Sequence, residues 1–101
     1  MPKALKIRNL LLRPHSTIKA LKAVSAARAA ARQHDWKTAR EHYAQALAYN
    51  PDQARIWIQY GHALGHMGQA SEAMQAYARG TAMVPSADSF LQLGRSYKIL
   101  G

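Results

Sequence analysis

Two pairs of side chains recur at matched helical intervals. Arg28 and Arg32 are four residues apart, as are His62 and His66, and each arginine precedes its histidine by 34 residues. On a helix, residues four apart share a face. Two imidazoles so placed can bind a transition metal, but zinc needs at least a third protein ligand. No glutamate accompanies His62 and His66, and the chain has no cysteine at all. The pair therefore reads as two polar surface groups, and no metal site and no cofactor is expected. Arginines on one helix face offer planar, bidentate donors to carboxylates. That is binding chemistry and not catalysis.

The five acids are Asp35, Glu41, Asp52, Glu72 and Asp88, and none forms an acid–base pair with another. Asp35 and Asp52 are expected at helix starts, where a carboxylate meets the positive end of the dipole. There is no glycine-rich phosphate loop and no nucleophile motif. No catalytic residue is assigned, and the chain is read as a non-enzyme over its 101 residues.

The elements that must carry these groups follow from punctuation and periodicity. Pro14 is expected to end a short amphipathic helix over 3–12, after which Ser16 or Thr17 caps a helix over 17–33. Its stretch Ala26–Ala31 consists of strong helix formers. Asp35 caps a helix over 36–48, which Asn50-Pro51 ends. Helices over 53–66, 70–83 and 87–100 follow, with Gly68 as a left-handed terminator. Apolar and aromatic residues fall at helical spacing in each.

The period then extends beyond the charged pairs. Asn50-Pro51 is answered by Val84-Pro85, Ala39 by Ala73, Tyr43 by Tyr77 and Ala46 by Gly80. The pattern Trp57…Tyr60-Gly61…Leu64…Gly68…Ala73…Tyr77…Gly80…Pro85 resembles the tetratricopeptide repeat, a 34-residue helix–turn–helix unit. Trp36, Ala39, Tyr43, Ala46 and Pro51 match the second half of an earlier copy, whose first half is alanine-rich. Phe90…Leu93-Gly94…Tyr97 opens a third copy after a one-residue loop deletion. The resemblance implies an all-α solenoid of two and a half repeats over 17–101, divided as 17–51, 52–85 and a partial 86–101. Residues 1–16 form a basic arm or capping helix before it.

The resemblance also implies a concave surface lined by the first helix of each pair. Val24, Ile58 and Leu91 occupy equivalent sites there and make an apolar floor. Arg28, His62 and Arg95 follow one turn on, then Arg32 and His66, with Arg55 and Lys98 at the border and Asp88 as a nearby acid. The expected activity is protein–protein interaction, with a protein or acidic peptide as partner in this basic groove. One alternative is the N-terminal scaffold of a larger enzyme, such as a glycosyl- or sulfotransferase. The lysines and asparagines that hold chaperone tails in some members are missing, so that specificity is not implied. Trp36 and Trp57 are expected to be largely buried at helix junctions. The last helix is expected to leave Phe90, Leu93 or Tyr97 uncovered and so to favour self-association or packing on another chain.

Charge is placed asymmetrically. The net charge is +9, and residues 1–40 hold ten of the fourteen Lys and Arg against the single acid Asp35. This allows a third reading, a basic adaptor for nucleic acid or an anionic membrane. No aromatic residue precedes Trp36 to stack on bases, and a capping helix with a solvated basic face is preferred to either partner. No apolar run approaches the ~20 residues needed to cross a bilayer. Without cysteine, signal sequence or span, a cytoplasmic location is expected.

Overall fold

A computed structural model describes residues 14–100; the helix expected over 3–12 lies outside them. The described residues form five α-helices: α1 Pro14–Arg32, α2 Trp36–Tyr49, α3 Ala54–His66, α4 Ala70–Met83 and α5 Ala87–Leu100. α1 packs chiefly on α2, and α3 on α4, as two hairpins; α2 meets α3, and α4 meets α5, across narrower contacts. This is the all-α repeat solenoid that the period predicts.

One boundary differs. α1 starts at Pro14 and not after it. Proline suits a first helical turn, where its missing N–H has no helical acceptor to serve. The other ends fall within a residue of expectation, because each is set by local chemistry. Asp35 Oδ1 accepts from the Thr38 amide at 3.3 Å and caps α2. The Thr38 side chain first, and this amide second, hold the Asp35 carboxyl below its ordinary pKa by hydrogen bonding. Asp52 caps nothing; its amide donates to Asn50 Oδ1, and Gln53 stands at the start of α3.

The two hairpin turns are built alike. Gly68 has φ 77°, and the Gln69 amide reaches back to the Leu64 carbonyl at 2.9 Å. Thirty-four residues earlier His34 has φ 58°, and the Asp35 amide reaches back to the Ala30 carbonyl at 2.9 Å. Each turn thus closes with a left-handed residue and a six-to-one bond. In the first copy a histidine takes a conformation that glycine adopts without steric cost.

The core is in two parts. One holds Ala23, Val24, Ala27, Ala39, Tyr43, Ala46, Leu47, Ile56 and Ala63. The other holds Leu64, Ala73, Ala76 and Tyr77. Trp57 and Tyr60 pack against both and join them. The repeated alanines bring backbones close, so that few large side chains fill the space between helices. Both tryptophans are half-buried rather than enclosed. The Trp57 indole N–H donates to the Pro51 carbonyl at 2.8 Å, and the Arg79 guanidinium lies 4.5 Å above its ring. An indole with a polar edge sits stably where one side is wet.

α5 begins with a reciprocal cap. The Ser86 and Ser89 amides each donate to the other's Oγ at 3.1 Å, and Ser89 Oγ donates to the Ser86 carbonyl. The Ser-x-x-Ser spacing is the local signal for this cap.

Candidate functional site

A cleft of about 660 Å³ opens where α1, α3 and the start of α5 face one another. Its cationic wall is Arg28 of α1 and Arg55 of α3. Ile56, Ile58 and Val84 supply apolar lining, and Gly80 of α4 closes the back. Asp88, in the first turn of α5, faces in from the other end. The Arg28 guanidinium is tethered: its Nε–H donates to Gln59 Oε1 at 3.4 Å, across to α3. The remaining guanidinium N–H groups of an exposed arginine stay available to a ligand. Ser86 and Ser89 also line the cleft, but their hydroxyls are engaged in the cap.

The residues expected to share one groove divide into several environments. Arg28, Arg55 and Ile58 come together in the cleft. Val24 does not reach it: the side chain is buried in the same cluster as Tyr43, Ala46 and Leu47, because α2 folds back over this part of α1. Arg32 is exposed, and its charge, with that of Arg28, acts on the Tyr43 hydroxyl. Burial outweighs both arginines and pushes the Tyr43 pKa up.

The two histidines have separate partners. His62 is half-buried, and its Nδ1 shares a hydrogen bond of 3.0 Å with the Tyr77 hydroxyl. Burial lowers the His62 pKa; the Asp88 carboxylate opposes this, and His66 adds to it. Tyr77 is pushed up, first by burial and then by Asp88. His66 is exposed and stacks flat on Trp36 of α2, with centroids 3.9 Å apart and planes 2° from parallel. His34 meets the same indole edge-on at 5.7 Å. Among the described residues no three His, Cys, Asp or Glu side chains cluster as metal ligands.

Leu91, Arg95 and Lys98 are exposed on α5 and stand outside the cleft lining. Leu91 and Lys98 are three and four residues from Gly94, on its face of the helix. The end expected to be bare is bare at Phe90 and Tyr97, whereas Leu93 packs against the second core. A further recess of about 330 Å³, lined by Leu47, Pro51, Trp57, Tyr60 and Arg79, lies between α2 and α3.

Gln53, Val84 and Asp88 are cleft residues that the periodic reading does not place on the floor or wall. Gln53 and Val84 lie in connections between helices, where a face-by-face projection gives no position. Among the described residues no helix is long and apolar enough to cross a membrane.

No curated protein matches the chain. The family model described as Tetratricopeptide repeat matches residues 30–93, more than half of the sequence, from the last turn of α1 through α2, α3 and α4 into α5. With stacked helical hairpins, left-handed turns 34 residues apart and this match, the chain belongs to the tetratricopeptide repeat family.

Proposed function

We propose that this chain is a protein-interaction module whose cleft takes an acidic segment of a partner. Repeats of this family generally mediate protein–protein contacts. The finer reading is supported by one observation: Arg28 and Arg55 share a cleft with the apolar side chains of Ile56, Ile58 and Val84. A carboxylate meets the two guanidinium groups while an apolar neighbour sits on the isoleucines. Charge-assisted bonds to arginine are among the stronger polar contacts. Asp88 at the far end excludes a run of consecutive acids and favours an amide or a base there, so the cleft orients the segment.

The test is fluorescence anisotropy with a labelled peptide that alternates glutamate and leucine. Binding is expected to weaken steadily as salt rises, since exposed charges are screened over ~8–10 Å at physiological ionic strength. Replacing Arg28 and Arg55 together by Glu should weaken it at least about tenfold, the equivalent of ~1.4 kcal/mol. A rival site in the basic arm makes the reverse forecast: removal of residues 1–13 abolishes binding and the double substitution leaves it unchanged. That result would refute the cleft.

A further inference from the structure

The smaller recess, of about 330 Å³, shares no lining residue with the arginine cleft. It exists because of what α2 lacks. Ala44 and Ala48 stand one turn apart on an exposed face of α2, so no long side chain from these positions fills the space. Leu47, 5% exposed, supplies an apolar base. Pro51 and Trp57 line the other side, and they are tied together: the Trp57 indole N–H donates to the Pro51 carbonyl at 2.8 Å. Tyr60, one turn on from Trp57, meets the indole edge-on with centroids 6.1 Å apart.

α4 adds the charged group. The Arg79 guanidinium lies 4.5 Å from the centroid of the Trp57 ring and lines the recess. An aromatic face holds a guanidinium in place while leaving its N–H groups available. Among the described residues those N–H groups donate to no protein acceptor; the indole is the partner of Arg79. The Tyr60 hydroxyl has no protein partner among them either. No acid lines the recess. The residue of α2 equivalent to Arg79 is Gln45, so the first hairpin does not repeat this cation.

An apolar recess with a single held cation and no acid suits a ligand with one negative charge and an apolar body. Its volume is at the lower end of small-molecule sites, roughly 300–1,000 Å³, which limits the ligand to one or two rings with a short acid arm. Trp57 and Tyr60 favour a ring over an alkyl chain, through edge-to-face contacts. The guanidinium favours a carboxylate, which it can bind with two parallel bonds. We propose that this recess is a binding site for a free aromatic carboxylate, its ring against Leu47, Pro51 and Trp57 and its carboxylate on Arg79. The net charge of +9 draws such anions toward the molecule. Residues 1–13 hold four cations and no acid, so they make a poor occupant beside Arg79. The site is separate from the arginine cleft and does not depend on it.

The probe is phenylpropionate, titrated into the nitrogen-labelled full chain and followed by heteronuclear NMR. The Trp57 indole and Arg79 Nε signals should shift and saturate, while the Trp36 indole signal stays in place. Phenylpropionamide has the same shape without the charge and should bind at least about tenfold more weakly, as should phenylpropionate to Arg79→Gln. Ala48→Leu fills the recess and should remove the shifts. If that variant melts below the parent, the amide comparison and Arg79→Gln are read in its place. The Arg28→Glu/Arg55→Glu variant should bind phenylpropionate as the parent does. A Trp57 signal that does not saturate, or equal binding of acid and amide, would overturn the proposal. So would a peptide ending in phenylalanine that binds more tightly than phenylpropionate, because the recess would then serve a partner's chain end. Binding that appears only after residues 1–13 are removed would assign the recess to the chain's own arm and overturn it too.

Discussion

Single residues in this molecule differ sharply in what their space allows. Gly61 and Gly94 are the clearest pair. Gly61→Ala forces a methyl group into the Tyr77 ring and should destabilise the chain by about 1–3 kcal/mol, as overpacking does. Gly94→Ala meets open space and should stabilise by roughly 0.5–1 kcal/mol through helix propensity. Thermal melts of the two variants should move in opposite directions. His62 gives a pH signature. Its folded pKa lies below the ordinary imidazole value of 6.5, chiefly through burial, so folding favours the neutral ring. Its contribution is intact above pH 6.5, fades as pH falls below that value, and is fully lost once pH is under the folded value. Proton NMR should show His62 titrating below 6.5, and a midpoint at or above it would contradict the buried placement.

At the scale of elements, helix ends were the most legible feature of the sequence. Asp35, Gly68 and the prolines act on backbone within a few residues of themselves, so their effect needs no knowledge of the rest of the chain. Partners across helices were less legible. Nothing in the spacing of His66 says that its ring will lie on Trp36, because that depends on how α3 crosses α2. Val24 illustrates the same limit: it shares a repeat position with Ile58 but is sealed beneath its own hairpin partner. The turns offer a test of the repeat itself. Glycine stands at position 68 and histidine at the equivalent 34, both left-handed. His34→Gly should raise stability by about 0.5–1 kcal/mol, since a non-glycine residue there carries a steric cost. Denaturant titration would check this. A loss of stability instead would mean that the edge contact of His34 with Trp36 outweighs the backbone strain.

Over the whole molecule, stability depends on the joint between the two cores. Trp57 and Tyr60 belong to both, so they couple the hairpins. Trp57→Ala should cost about 2–4 kcal/mol, somewhat less than removal of a fully enclosed aromatic. Trp57→Phe keeps most of the packing but loses the bond to the Pro51 carbonyl, and should cost about 1 kcal/mol. Equilibrium unfolding of both variants would check the order. In a solenoid each unit leans only on its neighbours, so a weakened joint also divides the transition. Trp57→Ala should therefore broaden the melt as well as lower it, with α1 and α2 separating from α3 and α4.

The flat stack of His66 on Trp36 has an optical consequence. It bridges the first turn of α2 in one hairpin and the last turn of α3 in the next, at van der Waals distance. A protonated imidazole in contact with an excited indole drains its emission. In a chain whose other indole is replaced, Trp36 becomes a built-in gauge: dark when the hairpins are seated and the ring is charged, bright when they part. Parting of the two hairpins is thus expected to be readable in the emission of Trp36, without a label.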